Sequence, residues 1–315
     1  MNAQHLFNAI FNTALVIMLI ATVAGLGMSF TVKQILAPLR NVWLVVATVV
    51  VNAGLAPLVA IAVCHVLPLH SQARVGVELA AIAAAGPSAL KAAELAKRAD
   101  LAAAVSIVVV LNLVNLVAAP LWAEAIVSGA TVKPLSIFGD LVLIVLIPLA
   151  IGLALHAHYP EHRDAWNTGL QEISSIALIV MLAFGIAANW KLIISVIGTW
   201  VILASVLMTA VWMVLGWAVS FRNRPAAIAN SLITLNRFAA IGLVVIASVL
   251  HNQGAYLAPA LVFSLVVTIL LYATGIEIGH RVSRVTHSTP KPAAAAPAPA
   301  ANAAVAGSTR QPPGG

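Results

Sequence analysis

Nine apolar runs, each long enough to cross a lipid bilayer, divide almost the whole chain. A spanning helix needs about 20 predominantly apolar residues because the hydrocarbon core is about 30 Å thick. Only 8% of the residues are charged, whereas soluble domains have about 25%. The pattern predicts an all-α polytopic membrane protein with nine transmembrane helices. The runs are approximately 6–30, 42–66, 75–97, 101–127, 135–157, 172–189, 193–219, 226–250 and 255–279.

Basic residues are distributed unequally between the loops that join these runs. Lysine and arginine concentrate in cytoplasmic loops. One set of loops carries only Arg74, Lys133 and Lys191. The opposite set is therefore predicted to be cytoplasmic, which places the N-terminus outside and the C-terminus inside a multi-pass protein of the plasma (inner) membrane. That set carries Lys33, Arg40, Lys97, Arg98, Arg163, Arg222, Arg224, Arg281 and Arg284.

The composition changes after Arg284. Residues 285–315 are rich in alanine and proline and lack large apolar side chains, so they are predicted to be a disordered cytoplasmic tail behind a membrane domain, 1–284. The single cysteine, Cys64, excludes an internal disulfide and a cysteine-based zinc site. No nucleophile and base pair, phosphate loop or nucleic-acid surface is evident. We therefore expect no enzyme activity, cofactor, metal or nucleic-acid partner.

Two of the runs contain a cation in their interior, Lys91 and Arg237. A charge at the middle of a spanning helix costs about 3 kcal/mol, so both side chains should face protein, water or ligand. The sequence Ala-Ala-Ile-Ala occurs at 80–83 and again at 226–229, and the two cations share that offset of 146 residues (237 minus 91). The shared offset predicts inverted repeats of five spans, with the first span of the first repeat absent. Sites in such folds lie near the midplane, on broken helices.

The first of these cations follows a pair of helix-breaking residues, Gly86 and Pro87. Proline lacks an N–H and clashes with the preceding turn, so a break is expected here. Ser88 can cap a new half-helix whose free N–H groups, together with Lys91, would attract an anion. Two simpler interpretations remain open: the break is a packing kink, and Lys91 pairs with Glu94 or extends to the interface.

The second cation, Arg237, lies about halfway along its run, too deep to reach water easily. Thr234 and Asn236 form a polar island with it. The run has no glycine or proline at 234–237, so a break there is inferred only from the match with the first cation. The alternative is a structural ion pair between Arg237 and a carboxylate such as Asp140 or Glu94.

Other polar residues within the runs carry weaker signals. Asn112 and Asn115 lie three residues apart in the fourth run and are candidates for interhelical hydrogen bonds or for lining a cavity. Glu78 and Glu124 lie near the ends of their runs, where no functional role is needed.

Five short segments occur in one order along the chain: Gly25–Phe30 followed by Pro38, Asn52–Pro57, Gly86–Lys91, Glu94–Arg98 and Leu232–Arg237. In this order, over roughly residues 10–280, the chain resembles the bile acid:sodium symporter family. Gly86–Lys91 stands where that family has Gly-Gly-Thr-Ala-Ser-Asn, and Leu232–Arg237 where it has Glu-x-Gly-x-Gln-Asn. The chain is similar to the family's nine-span form.

The resemblance implies a fold and an activity. It implies a core domain (approximately 42–127 and 193–279) with two broken helices that cross beside the substrate cavity, and a panel domain (approximately 6–30 and 135–189). Family members typically bind two sodium ions near the crossing and move organic anions by alternating access.

The departures from the family fall where sodium would bind. Leu232 replaces a glutamate, Asn236 and Asn52 each replace a glutamine, and Lys91 and Arg237 replace two asparagines. Hard cations need a cluster of oxygen ligands. A fixed cation offers none and repels the ion by about 4 kcal/mol at 4 Å and an effective dielectric of 20. We therefore expect the sodium sites to be lost.

The leading hypothesis is a secondary transporter of a small organic anion that works without sodium. One alternative is a sodium-coupled organic anion or bile acid symporter with reworked sites, and another is a non-transporting membrane receptor or sensor. The residues expected at the substrate site are Lys91 and Arg237 as charges, Ser88, Thr234 and Asn236 as polar supports, Asn52, Asn112 and Asn115 as nearby contacts, and Glu94 as a proton-coupling partner of Lys91.

Overall fold

The computed structural model describes residues 3–29, 31, 42–86, 88–127, 134–197, 199–250 and 253–288, and these residues form helices joined by short connections, with no β-strand among them. Two helices contain a π-helical segment: α2 consists of Val42–Val49, the π segment Val50–Leu55 and Ala56–Val66, and α6 consists of Pro134–Leu141, the π segment Val142–Leu146 and Ile147–His158. The other helices are α1 (Ala3–Ser29), α3 (Ser71–Ala81), α4 (Ser88–Leu95), α5 (Leu101–Ile126), α7 (Arg163–Ile197), α8 (Val201–Val219), α9 (Arg224–Leu235), α10 (Ala239–Val249) and α11 (Gly254–Ser288).

Seven of the helices in the described residues are long and apolar enough to cross a membrane, namely α1, α2, α5, α6, α7, α8 and α11. The two other predicted runs are each split in two. Run 75–97 is covered by α3 and α4, and run 226–250 by α9 and α10. We call residues 82–86 the first break and Asn236–Phe238 the second break.

The predicted helix end at residue 189 coincides with a kink, whereas the predicted helix start at residue 193 does not match the structure. The sequence predicts that a helix ends at residue 189 and another begins at 193, whereas α7 continues to Ile197 and α8 begins at Val201. Only a kink marks the predicted boundary, because Asn189 has non-helical angles (φ −123°, ψ 17°). Lysine is a good helix former, and a helix satisfies its own backbone in lipid or water, so Lys191 does not require a loop.

Pro57 explains the irregular backbone of α2. It has no N–H, so the carbonyls one turn earlier, in the π segment, lose their donor. The Trp122 indole donates to Ala53 O at 2.7 Å, and the Arg237 guanidinium donates to Asn52 O at 3.2 Å. The proline thereby leaves carbonyl oxygens available to a side chain of α5 and to one of the segment between α9 and α10.

Helix α1 packs mainly against α6 and α7. Gly27 of α1 and Gly152 of α6 face each other so closely that a Cβ at Gly27 would lie 2.5 Å from Leu149 O. Small residues permit such backbone approach between membrane helices, where packing rather than the hydrophobic effect drives association. These helices form one packing group.

The remaining helices surround the two breaks. Helix α3 packs against α10 and α11, and α9 packs against α8. A Cβ at Gly242 of α10 would overlap the main chain of Leu79 in α3. Ala80, Ala83 and Ala84 are fully buried. The centre of the molecule is therefore built from small side chains that bring main chain against main chain.

Several predicted features lie outside the described residues. They include Pro87, Lys33, Arg40, Lys133, and the tail from residue 289 onward. Of the predicted tail, residues 285–288 belong to α11, which ends at Ser288.

Candidate functional site

The two breaks meet at a place that we call the crossing. Ala84 of the first break and Arg237 of the second form an antiparallel bridge. The main-chain hydrogen bonds run from Ala85 N to Asn236 O (3.1 Å) and from Phe238 N to Ala83 O (3.0 Å). The two interrupted helices are thus joined backbone to backbone, although neither contributes a strand.

This pairing corrects the register read from the sequence. The residue opposite Arg237 is Ala84, 153 residues earlier (237 minus 84), and not Lys91. The repeated tetrapeptide occupies unlike places, since 80–83 includes the end of α3 whereas 226–229 lies near the start of α9. Lys91 and Arg237 are therefore not a matched pair across the crossing.

Asparagine side chains satisfy the main chain of the first break. The Asn115 amide accepts from Ala84 N (2.9 Å) and donates to Ala84 O (2.8 Å), while Asn112 donates to Ala85 O (3.1 Å). Each unsatisfied main-chain group in a bilayer interior costs several kcal/mol. The two asparagines on α5 thus replace the hydrogen bonds that a continuous helix would have made.

Asn236 links the second break to the start of α4. Its amide donates to Gly86 O (2.7 Å) and to Ser88 Oγ (3.0 Å). Ser88 is the first residue of α4. Asn236 and Ser88 therefore lie in direct contact at the crossing.

Arg237 occupies the centre of the crossing. The residue is 4% exposed. Its Nε donates to Ala81 O (2.7 Å), and its Nη2 donates to Ile82 O (3.0 Å) and to Asn52 O (3.2 Å). Ala81 is the last residue of α3, where the helix dipole favours a cation.

The surroundings of the Arg237 charge are otherwise apolar. Its Cζ lies 5.2 Å from the ring centroid of Trp212, a cation–π distance. Within the described residues no carboxylate forms an ion pair with Arg237, and its Nη1 has no hydrogen-bond partner there. The alternative prediction, an ion pair between Arg237 and Asp140 or Glu94, is therefore wrong.

Asn52 and Thr234 lie beside Arg237. Asn52 Nδ2 donates to Thr234 Oγ1 (3.2 Å) and to Thr48 O (3.0 Å). Two buried oxygens, Asn52 Oδ1 and Thr48 Oγ1, have no hydrogen-bond partner among the described residues. These two oxygen atoms are therefore available as hydrogen-bond acceptors or as ligands of a cation.

Lys91 lies in a different environment, on α4. Its side chain is 68% exposed and its Nζ lies 2.9 Å from Glu94 Oε2, whose side chain is 52% exposed. Exposed ion pairs contribute little, about 0–1 kcal/mol. The simpler interpretation left open above, a pair on the helix surface, is the arrangement in the structure.

Sequence reasoning missed the partners of Arg237. They are the carbonyls of Ala81, Ile82 and Asn52, which no residue type reveals, and the ring of Trp212. A signal for Trp212 existed, since it lies well inside a predicted run rather than near an end, where interfacial tryptophans are found.

These features define an integral multi-pass membrane protein whose two interrupted helices meet around a buried cation. Compared with protein families, residues 16–189 match the model of the Sodium Bile acid symporter family. The match covers more than half of the chain, and the chain belongs to this family, which is one of membrane transporters. The matched segment includes the first break and α5 but ends before Arg237. Comparison with curated proteins finds no match.

Proposed function

We propose that this protein is a secondary transporter of a small organic anion that works by alternating access without sodium. The observation that carries the proposal is the Arg237 guanidinium, buried at the crossing and bonded to three main-chain carbonyls. Carbonyl oxygens are the kind of ligand that a hard cation takes. In this protein the Arg237 guanidinium donates hydrogen bonds to these carbonyl oxygens.

Electrostatics argues against sodium at the same place. Two unit charges 4 Å apart repel by about 4 kcal/mol at an effective dielectric of 20, which would weaken sodium binding about a thousandfold. In addition, the carbonyls of Ala81 and Ile82 already accept hydrogen bonds from Arg237. A sodium ion would have to displace a tethered group and overcome its charge.

The same charge favours an anion. No carboxylate among the described residues neutralises Arg237, and its Nη1 has donors to spare. A buried cation without a counter-ion lowers the free energy of an anion bound nearby. We assign Arg237 the role of attracting the substrate and the Asn52 carbonyl that of orienting its guanidinium, with Thr234 holding the Asn52 side chain.

Lys91 supplies a second positive charge from the exposed face of α4. Its ion pair with Glu94 is solvated and therefore weak enough to exchange for a substrate carboxylate or sulfonate. The hydrogen bond between Asn236 and Ser88 joins the second break to α4 and would stabilise the crossing. Asn112 and Asn115 serve the same purpose from α5.

The architecture that we propose has nine spans, with the two broken helices each counted as one. Four pairs of corresponding positions support inverted repeats with an offset of 153 residues. The pairs are the helix ends Val66 and Val219, the helix starts Ser71 and Arg224, the bridged residues Ala84 and Arg237, and the helix starts Leu101 and Gly254.

Packing supports the two domains that we propose. The group formed by α1, α6 and α7 would be the panel domain, and the helices around the crossing would be the core domain. With the N-terminus outside, α3 enters from the outer surface and α4 leaves toward the cytoplasm. Movement of the panel past the core would expose the crossing to each side in turn.

Uptake into proteoliposomes tests the proposal. A panel of carboxylates, sulfonates and taurocholate is first screened for thermal stabilisation of the purified protein, and the stabilising anions are then used in uptake. Uptake should be equal with sodium or choline outside, and Lys91→Ala and Arg237→Lys should reduce it at least tenfold. Lys191→Ala, which removes an exposed lysine of α7, should leave it unchanged. Strict sodium dependence would reject the proposal.

A sodium-coupled symporter is the second candidate, and the unpartnered oxygens of Asn52 and Thr48 favour it. These two oxygens would contribute ligands to a sodium ion beside Arg237. Sodium, but not potassium or choline, should then raise the unfolding temperature of the wild-type protein, and Asn52→Leu should abolish that increase.

A further inference from the structure

We propose that Glu78 is a proton-binding site, with His65 as its connection to solvent, and that this proton is co-transported with the anion. The inference rests on the sodium-free transport proposed above, which leaves uphill uptake without a driving ion. The proton would bind to a carboxyl group that takes no part in the hydrogen bonds of the crossing. This group lies on α3, the helix whose last residue, Ala81, accepts a hydrogen bond from Arg237.

Glu78 is the carboxylate that is buried among the described residues, and its surroundings favour a bound proton. It lies on α3, is only 4% exposed, and its Oε1 has no hydrogen-bond partner among the described residues. Burying an ionised carboxylate without a partner is costly, so such a group holds a proton instead. Glu94, by contrast, is exposed and paired with Lys91.

His65 links this carboxyl group to the aqueous phase. Its Nδ1 lies 3.4 Å from Glu78 Oε1 and 2.8 Å from Ile61 O, while 55% of the side chain is exposed. An imidazole with one buried and one solvated side can pass a proton between a carboxyl group and water. His65 lies next to the end of α2, and with the N-terminus outside this end faces the outer solution.

The other groups around Glu78 leave it without a strong counter-ion. Helix α2 contributes His65 and the buried Cys64, and α3 itself contributes Arg74 one turn earlier. Helix α10 has no titratable residue, α11 approaches α3 through the main chain of Tyr256, and the one titratable residue of α5 is the exposed Glu124. Arg74 is not within ion-pair distance of Glu78.

The position of Glu78 connects its proton to the anion site. It precedes Ala81 by three residues, about 5 Å along the helix axis, and the Ala81 carbonyl accepts from Arg237. An ionised Glu78 would repel a bound anion and offset part of its attraction to Arg237. A neutral Glu78 would not weaken this attraction. Protonation and anion binding should therefore favour each other, which is the linkage that symport requires.

Infrared titration of the purified protein tests the proton site without any substrate. A protonated carboxyl band should disappear as the pH rises in the wild type and in Glu124→Gln, and should be absent in Glu78→Gln. His65→Gln should keep the band and shift its midpoint. A wild type without such a band, or a band that persists in Glu78→Gln, would overturn the assignment.

Accumulation in proteoliposomes tests the coupling. With the membrane potential clamped at zero, a gradient of one pH unit should accumulate a monovalent anion about tenfold in a one-to-one symport. Glu78→Gln should equilibrate the anion without accumulating it. Equal accumulation by both proteins would refute the coupling while leaving anion transport intact. If the wild type takes up no anion, the proposed function and the coupling both fail, and the infrared titration still decides the proton site.

Discussion

Replacing Arg237 by methionine should destabilise the protein by about 2–5 kcal/mol. Methionine fills a similar volume but leaves the carbonyls of Ala81, Ile82 and Asn52 without the donors they have now. Interhelical hydrogen bonds in membrane proteins average about 0.6 kcal/mol, and bonds to charged groups contribute at least about 1.5 kcal/mol. Three such bonds give the stated range.

Reversible unfolding in mixed micelles measures this loss of stability. The matched control is Arg281→Met, because Arg281 is 77% exposed and forms an i,i+4 pair with Glu277 at 2.7 Å. The control should cost less than about 1 kcal/mol. If Arg237→Met unfolds with the same free energy as the wild type, the guanidinium does not hold the crossing together and the reasoning fails.

Three further variants test the construction of the crossing by thermal unfolding. Asn115→Leu removes both hydrogen bonds to the first break and should cost about 1–3 kcal/mol; unchanged stability would contradict the assigned role. Ala85 has a φ of 53°, so Ala85→Gly should relieve left-handed strain and stabilise by up to about 1 kcal/mol, and destabilisation would count against it. Gly242→Ala would force a Cβ into the main chain of Leu79 and should prevent folding to a monodisperse protein, whereas Gly139→Ala, which has open space around it, should fold normally.

The sequence predicted the membrane class and the location of both breaks, because these depend on local features. Apolar runs of sufficient length define spans, and Gly86 lies within the first break. The break itself begins earlier, directly after Ala81, because the main chain at 82–85 bonds to another segment instead of continuing the helix. The second break has no glycine or proline, and only its contacts with the first explain it.

The role of Lys91 could not be predicted in the same way. Its position in an apolar run resembles that of Arg237, and the recurring tetrapeptide supported the match. However, Lys91 lies on the exposed face of α4, and tertiary packing decides which face of a helix is exposed. Glu78 is assigned no role by the sequence because it lies near a run end, whereas packing buries it.

The central claim is that the Arg237 guanidinium stands in place of a sodium ion at the crossing. Equilibrium binding of radioactive sodium to the purified protein tests this claim most directly. The account predicts no saturable binding by the wild type, and binding by Arg237→Asn, in which the carbonyls of Ala81, Ile82 and Asn52 are released. Saturable sodium binding by the wild-type protein would contradict it.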